Sequence, residues 1–350
     1  MPGPNKDITG DETSRGGADA PIQGAHGLRP SRATHREERL MRVRLRNIRW
    51  EAEGINSYVL EPMAGERLPA FTAGAHIDLQ LAKGLARSYS LVNDPAIRGY
   101  YEIAVHHAID GRGGSRHIHE NWRVGEILEI SDPKNNFPLE ESAEHTVLIA
   151  GGIGVTPMLP MIARLEQLGR TWELHYVAAT PDRAAYVDRI EEYPQVEIAY
   201  DGIPGGQRLD LKKICDRAPA NAHLYCCGPT GMLDAFVAIN ASRPKGHAHI
   251  EYFSAETELA IDGGYSLELA KSGKTIVVEE GETMLDALLT AGVDIGFACA
   301  EGVCGTCQVK VLDGVPDHRD HFLTEDEKAA NTSIMVCCSG SKSPVLVLDV

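Results

Sequence analysis

The sequence predicts a multidomain protein in which two β-rich domains flank a doubly wound α/β domain. Three features of the 350-residue chain support this. Short alternating segments recur between residues 41 and 130, which is typical of an antiparallel barrel or sandwich. A continuous apolar run at 147–150 leads into a glycine-rich turn, as in parallel α/β sheets. A cysteine-rich loop at 299–307 lies within a third, smaller β-rich segment.

Composition narrows the possible partners. The formal net charge of −16 argues against nucleic acid or an anionic membrane as a partner. No apolar run approaches the roughly 18 residues of a membrane span, and the first residues contain no apolar export signal. We therefore expect a cytoplasmic protein with reduced cysteines. Residues 262–350 contain fifteen acidic and six basic residues, which serve either solvation or docking of a basic partner protein.

Residues 1–39 are nearly devoid of large apolar side chains, so we expect them to be disordered. Residues 40–141 are expected to form the first folded domain. Met41, Val43 and Leu45 alternate with arginines, which predicts a half-buried strand. Further strands are predicted at 58–60, 77–81, 101–105 and 127–130.

Two motifs in this domain carry groups suited to a flat, phosphorylated ligand. Arg87-Ser-Tyr-Ser90 combines a guanidinium, an aromatic ring and hydroxyls. Gly111-Arg-Gly-Gly-Ser115 can present backbone N–H groups to a phosphate. Each is weak alone, because the first occurs by chance and the second also fits an ordinary hairpin turn.

Residues 142–255 show the pattern of an α/β domain. The apolar run 147–150 leads into Gly151-Gly-Ile-Gly154 and Thr156-Pro157, followed by a helix to about residue 168. A pyrophosphate can bind at such a helix N-terminus, although the spacing differs from G-x-G-x-x-G. Cys227-Gly-Pro229 follows another predicted strand, where ligands collect in such folds, or is simply a turn before a helix at 232–239.

Residues 262–350 predict a small mixed sheet with one crossing helix. A hairpin is expected at 266–278, and strands at 308–312 and 345–348. The helix is expected at 283–291, with Thr283 as its N-cap and Gly292 after its end.

The loop after this helix contains Cys299, Cys304 and Cys307 in the spacing C-x4-C-x2-C. This spacing is typical of a plant-type [2Fe–2S] cluster, whose fourth thiolate comes from a distant segment. Gly302 and Gly305 suit a tight loop that needs positive φ. Three alternatives remain. A zinc site fits the four-residue gap between Cys299 and Cys304 poorly. A disulfide framework is unexpected without an export signal, and the cysteines are otherwise simply buried core residues.

Cys337 is the expected fourth ligand rather than Cys338, because neighbouring residues on an extended segment point to opposite sides. Cys215, Cys226 and Cys227 are then ordinary thiols, as is Cys338.

Taken in order, these motifs resemble the phthalate dioxygenase reductase family, and especially its vanillate O-demethylase reductase branch. The resemblance covers residues 40–350 and includes the stretch Pro316-Asp-His-Arg-Asp320. It implies an FMN-binding antiparallel β-barrel (40–141), a doubly wound α/β NAD domain (142–255) and a β-grasp [2Fe–2S] ferredoxin domain (262–350). The 29 residues between Cys307 and Cys337 match the family's ferredoxins.

The resemblance also implies site residues. For FMN they are Arg87, Ser88, Tyr89, Ser90, Ala104, Val105, His106, Arg112, Gly113, Gly114, Ser115 and Phe253, where His106 departs from the lysine of relatives. For NAD they are Gly152, Gly154, Thr156, Pro157, Asp182, Cys227, Gly228 and Pro229. For the cluster they are Cys299, Cys304, Cys307 and Cys337.

The implied function is that of an NADH-dependent reductase that passes electrons through FMN and [2Fe–2S] to a Rieske-type aromatic oxygenase or O-demethylase. The side chains would position cofactors, and none is expected to act as a catalytic acid or base. The alternatives are the reductase of a non-aromatic oxygenase, such as a quaternary-amine monooxygenase, and a stand-alone ferredoxin-type electron carrier. A redox-responsive binding module is disfavoured, because no basic nucleic-acid surface is present.

Overall fold

The computed structural model describes residues 40–82, 85–108, 113–253 and 258–350. The segment 1–39, predicted to be disordered, and Arg112 of the glycine-rich motif lie outside the described residues. The three main sheets follow one another along the chain in the predicted order, while the domain limits stay predictions. No described helix is both long and apolar enough to cross a lipid bilayer.

The first sheet is antiparallel and closes on itself. It contains β1 (Met41–Ala52), β2 (Ile55–Pro62), β3 (His76–Ala82), β4 (Leu85–Ser90), β5 (Tyr101–His106) and β6 (Ile127–Ile130), with α1 (Gly114–Asn121) between the last two. The order is β4-β3-β6-β1-β2-β5. A bridge between Leu91, just after β4, and Ile103 in β5 joins the two ends of the sheet. The fold is therefore a barrel rather than a sandwich.

The barrel core follows from the alternation seen in the sequence. Val43 and Leu45 are fully buried, while Arg42 and Arg44 are exposed, so the prediction for this strand is confirmed. The described end of the glycine-rich motif begins α1 and is not a hairpin turn. Gly113 adopts a φ of 85° as its N-cap, which glycine tolerates without strain.

The second sheet is parallel. Its strands are β7 (His145–Gly151), β8 (Thr171–Ala178), β9 (Val196–Tyr200), β10 (His223–Cys227) and β11 (Ala248–Glu251), and its helices are α2 (Met158–Leu168), α3 (Val187–Ile190), α4 (Leu211–Arg217) and α5 (Thr230–Ile239). The order β11-β10-β7-β8-β9 places the switch point between β7 and β10. Val147 and Ile149 pack into one core cluster and Leu148 and Ala150 into another, which confirms a strand buried on both faces.

The third sheet is small and mixed. The segment that forms it contains β12 (Tyr265–Leu269), β13 (Thr275–Val278), α6 (Met284–Thr290), β14 (Gln308–Asp313), β15 (Pro316–Asp317), α7 (Glu325–Ala330), β16 (Ser333–Met335), β17 (Gly340–Ser341) and β18 (Val345–Leu348). Of these, β15 and β17 form a separate two-stranded sheet. The order is β13-β12-β18-β14-β16, with β12 and β18 parallel. Thr283 caps α6 through a capping box with Asp286, as expected from the sequence. Neither α7 nor the short β15–β17 pair was predicted from the sequence.

Three histidines meet near the amino ends of β10 and β11. His223 Nδ1 lies 3.0 Å from His249 Nε2, and the His223 and His247 rings stack at 4.3 Å. The His249 ring also stacks on Tyr225 at 4.2 Å. Burial, reinforced by His223, lowers the pKa of His249 from 6.5 to about 4, although Glu140 opposes the shift.

We expect His223 and His249, whose pKa values are lowered, to make stability fall as the pH is lowered from 6.5 to about 4. In that window the unfolded chain binds more protons than the folded chain, so protonation favours unfolding. The free energy of unfolding should fall by on the order of 1–3 kcal/mol across the window. His249→Phe keeps the ring stack and removes the titrating group. Its melting temperature should therefore change less than that of the wild type between pH 7 and pH 4.5. His117→Phe, in α1, is the control and should retain the wild-type slope. Identical slopes for His249→Phe and wild type would contradict this account.

Candidate cofactor-binding site

Two loops meet at the carboxyl ends of β7 and β10. A Cβ on Gly154 would lie 2.2 Å from the carbonyl oxygen of Cys227, and one on Gly151 would lie 2.8 Å from Cδ of Pro229. Only glycine permits this approach, which brings the Gly151–Pro157 turn against the Cys227-Gly-Pro229 turn. The resulting cleft lies at the switch point of the sheet, where nucleotides bind in folds of this class.

The other predicted nucleotide residues flank this cleft in different ways. Thr156 is buried, and its hydroxyl donates to the Ile153 carbonyl at 2.9 Å, so it stabilises the turn. Pro157 is the N-cap of α2. Asp182 is exposed in a 3₁₀ turn after β8, and its carbonyl accepts from the backbone N–H of Glu53 at 2.7 Å. That bond ties the turn to the β1–β2 hairpin of the barrel.

The predicted flavin motif occupies β4 beside the start of α1. A Cβ on Gly114 would lie 2.8 Å from Cγ of Arg87, so the arginine packs directly on the first turn of the helix. A guanidinium and a helix N-terminus together form an anion-binding arrangement. Ser115 Oγ accepts from the backbone N–H of Ala108 at 3.2 Å, which fixes the loop before the helix.

The remaining flavin candidates divide between the barrel wall and its rim. Ser88 donates to Asp78 Oδ1, on the neighbouring strand. Tyr89 is partly buried against the barrel core, and burial raises the pKa of its phenol. The other members are Ser90, Ala104 and Val105, which are buried, and Phe253, which is 37% exposed just after β11.

His106, the departure from the family pattern, ends β5 near the nucleotide domain. Its pKa is lowered, first by burial and then by the neighbouring Arg183 and His119. The ring also lies 3.9 Å from where a Cβ on Gly54 would be. The side chain therefore faces the junction between the barrel and the turn that contains Asp182.

Sequence reasoning missed Glu251, the last residue of β11. It pairs in register with Cys227, and its Oε2 is buried without a hydrogen-bond partner among the described residues. Burial raises the pKa of Glu251 to about 8, and burial followed by Glu251 raises the pKa of the Cys227 thiol. A carboxyl held neutral at the edge of a cleft is typical of functional sites. Its sequence signal was weak, because Glu251 ends a short strand that already contains the polar His249.

The four predicted cluster ligands converge in the interior. Cys299, Cys304, Cys307 and Cys337 are all at most 8% exposed. Contact with Cys299 raises the pKa of Cys304, and contact with Cys337 raises that of Cys307. Cys337 also contacts Cys299, so the two thiol pairs adjoin as one group. Among the described residues no three His, Cys, Asp or Glu side chains are grouped to hold a single metal ion. Two adjoining thiol pairs instead fit a two-iron cluster with two ligands per iron.

The backbone of the cysteine loop also fits a cluster. Gly302 and Gly305 have φ of 72° and 78°, as the sequence predicted, and Ala300 has a φ of 52°. The N–H of Glu301 points at Cys299 Sγ from 3.4 Å, a contact that stabilises charge on a sulfur ligand. The sulfur of Cys338 packs against the backbone of the cysteine loop, 2.5 Å from the position of a Cβ on Gly302.

The cysteine loop packs on the barrel strand that carries the flavin motif. Ala298, Cys299 and Cys304 form one apolar cluster with Ala86 of β4. Asn136 donates to the carbonyl of Cys304 at 2.9 Å. Arg87 Nη1 lies 3.4 Å from the carbonyl of Ala298. The sites predicted for flavin and cluster are therefore neighbours.

The cysteine loop is also linked to the nucleotide domain. The Tyr252 ring, next to Phe253, lies 4.7 Å from the ring of His321. The backbone N–H of His321 in turn donates to Gly302 in the cysteine loop. The three predicted sites thus meet in one region of the molecule.

The cysteine geometry predicts different consequences for two adjacent substitutions. Cys337→Ala should abolish the cluster and reduce one-electron transfer from NADH to cytochrome c to background, because it removes one member of a thiol pair. NADH–ferricyanide activity should persist, since it needs only the first two domains. Cys338→Ala is the matched control and should keep iron, acid-labile sulfide and both activities. Loss of the cluster in Cys338→Ala alone would reverse the ligand assignment.

Comparison with known proteins agrees with this architecture. Residues 267–341 match the family described as 2Fe-2S iron-sulfur cluster binding domain. The chain is 46% identical over 308 residues to the phenoxybenzoate dioxygenase subunit beta of Ectopseudomonas oleovorans, covering 88% of this chain and 96% of that protein. It is 39% identical over 318 residues to a vanillate O-demethylase oxidoreductase of Pseudomonas sp., covering 89% and 100%.

A solved structure extends the likeness to the whole arrangement of sheets. The structure of phthalate dioxygenase reductase, described as modular and as transferring electrons from pyridine nucleotides to [2Fe–2S], superposes with a TM-score of 0.71. It is 35% identical and covers 89% of this chain and 98% of its own. The predicted fold class is confirmed, and the chain belongs to the phthalate dioxygenase reductase family of iron–sulfur oxidoreductases.

Proposed function

We propose that this protein is the NADH-dependent reductase component of a two-component Rieske-type oxygenase or O-demethylase system. The observation that carries the proposal is the packing of the cysteine loop on β4, where Ala298, Cys299 and Cys304 contact Ala86 beside Arg87. A nucleotide cleft, a flavin strand and a cluster loop in contact form the apparatus needed to convert a two-electron donor into single electrons. The relatives' names, a dioxygenase subunit and an O-demethylase oxidoreductase, support the same activity.

In this proposal the barrel binds FMN. Arg87 and the N–H groups at Gly114 and Ser115 hold its phosphate, because a guanidinium and a helix N-terminus converge there. Tyr89 and Ser90 would hold the isoalloxazine ring, and Ala104, Val105 and His106 would complete the pocket wall. Bound FMN supplies the exchange between two-electron and one-electron chemistry. Phe253 covers the ring face that nicotinamide must reach.

The cleft between β7 and β10 binds NADH. Gly152, Gly154 and Pro157 bring the backbone and the start of α2 to the pyrophosphate, as the close packing of Gly154 on Gly228 and of Gly151 on Pro229 allows. Glu251 pairs with Cys227 beside this cleft, and its raised pKa keeps the carboxyl largely neutral there at pH 7.

The ferredoxin domain delivers electrons to the partner. Cys299, Cys304, Cys307 and Cys337 hold the [2Fe–2S] cluster. The excess of acidic residues in 262–350 favours docking to a basic face of the terminal oxygenase, because complementary charge accelerates association.

The purified protein should contain FMN rather than FAD, and it should reduce cytochrome c with NADH. Acid-released flavin separated by chromatography identifies the cofactor, and iron analysis confirms the cluster. Adding a purified Rieske oxygenase encoded nearby, with its substrate, should couple NADH oxidation to product formation. FAD as the main flavin would overturn the FMN assignment. Cluster reduction without any NADH oxidation would favour a stand-alone electron carrier.

NADH should be used at least about tenfold more efficiently than NADPH, because a carboxylate at Asp182 bonds ribose hydroxyls and repels a 2′-phosphate. Asp182→Asn should narrow the ratio of the two kcat/KM values, mainly through KM. The exposed Asp201, after β9, provides the control, since Asp201→Asn should leave the ratio unchanged. Comparable efficiency with both nucleotides in the wild type would show that Asp182 does not contact the ribose.

A further inference from the structure

A buried carboxylate lies between the flavin strand and the cysteine loop. Asp78 in β3 is 1% exposed. Its Oδ1 accepts a hydrogen bond from Ser88 Oγ at 2.5 Å, and its Oδ2 accepts one from Lys134 Nζ at 2.7 Å. An ammonium at this distance stabilises the ionised form of the carboxyl group. Asp78 is therefore a fixed negative charge in the barrel wall.

Thr306 reaches the same carboxylate from the cysteine loop. Its Oγ1 lies 3.5 Å from Asp78 Oδ2 and 3.4 Å from Cys304 Sγ, and in the cysteine-thiol form the Cys304 thiol donates to that oxygen. Asn136 holds the loop in place by donating to the Cys304 carbonyl at 2.9 Å. The Thr306 hydroxyl thus stands between a barrel carboxylate and a proposed cluster ligand.

This hydroxyl has one proton to donate and two anionic neighbours once Cys304 is a thiolate. A carboxylate oxygen is the stronger acceptor, because the sulfur shares its charge with iron. With the proton directed to Asp78, the lone pairs of Thr306 Oγ1 face the sulfur. Both this dipole and the Asp78 charge disfavour an added electron beside Cys304.

We propose that Asp78, acting through Thr306, is a positioning residue that lowers the reduction potential of the [2Fe–2S] cluster. The inference rests on the proposed function and gives the barrel wall a part in tuning a cluster bound by another domain. The potential then depends on the docked arrangement, because the charge comes from β3 and the ligand from the cysteine loop.

The midpoint potential of the cluster can be measured in the intact protein by titration with dithionite in the presence of redox mediators. Electron paramagnetic resonance monitors the signal of the reduced cluster during the titration. Asp78→Asn removes the charge and frees the Thr306 proton for the sulfur. It should shift the one-electron equilibrium about tenfold toward the reduced cluster, about 59 mV. Thr306→Val should give a smaller positive shift, and Thr306→Ser none.

Glu102→Gln is the matched control. Glu102, in β5, is another buried barrel carboxylate, and it pairs with Arg189 Nη2 at 2.6 Å. The cluster of this variant should have the same midpoint potential as that of the wild type. An unchanged potential in Asp78→Asn would overturn the proposal, as would an equal shift in Glu102→Gln. A negative shift in Thr306→Val would show that the hydroxyl donates to sulfur and would also overturn it. If Asp78→Asn does not fold, the potential of Thr306→Val alone decides the proposal. Dithionite reduces the cluster without NADH or flavin. A failure of the proposed NADH-to-flavin route is therefore distinguishable from a failure of this inference.

Discussion

The packing of the cysteine loop against β4 is the contact on which the closeness of the predicted flavin and cluster sites depends. Ala86, Ala298, Cys299 and Cys304 exclude water from one small apolar cluster, and the Asn136 hydrogen bond to Cys304 fixes its register. The barrel and the nucleotide domain are joined separately, because Ala52, Ile55 and Ala104 of the barrel share a core cluster with the nucleotide domain. Through the cysteine-loop contact, the strand that carries the flavin motif and the loop that carries three of the cysteines share a surface.

Close backbone approach makes the nucleotide cleft possible. The turns after β7 and β10 pack so tightly that a single methyl group on Gly154 would overlap the carbonyl of Cys227. The cleft is therefore shaped by main chain rather than by charged side chains. Such a site offers N–H groups to phosphate without the cost of ordering long side chains.

Two buried carboxyl groups near the cofactor sites are held in opposite states. Glu251 is buried without a cation, so its pKa rises to about 8. For Asp78, burial opposes ionisation, but Lys134, His76 and Ser88 outweigh it and lower the pKa. A neutral acid thus lies beside the nucleotide cleft, while a fixed negative charge lies beside the cysteine loop. The difference arises from partners supplied by distant parts of the chain.

The sequence by itself determined the order of the three domains, the half-buried strand β1, the doubly buried strand β7 and the cap of α6. These features depend on local periodicity and spacing, which neighbouring residues record directly. The same is true of the cysteine loop, where C-x4-C-x2-C and two glycines already specify a turn with positive φ.

Strand alternation alone left barrel and sandwich open, and the barrel that the family resemblance implied is confirmed by the bridge between Leu91 and Ile103. Only the tertiary structure revealed the helix that begins at Gly114, the buried acid Glu251 and the link from Asp78 through Thr306 to Cys304. Asp78 and Thr306 are separated by more than two hundred residues. No sequence motif specifies either residue as part of a site. Such contacts arise when domains pack, so no local pattern encodes them.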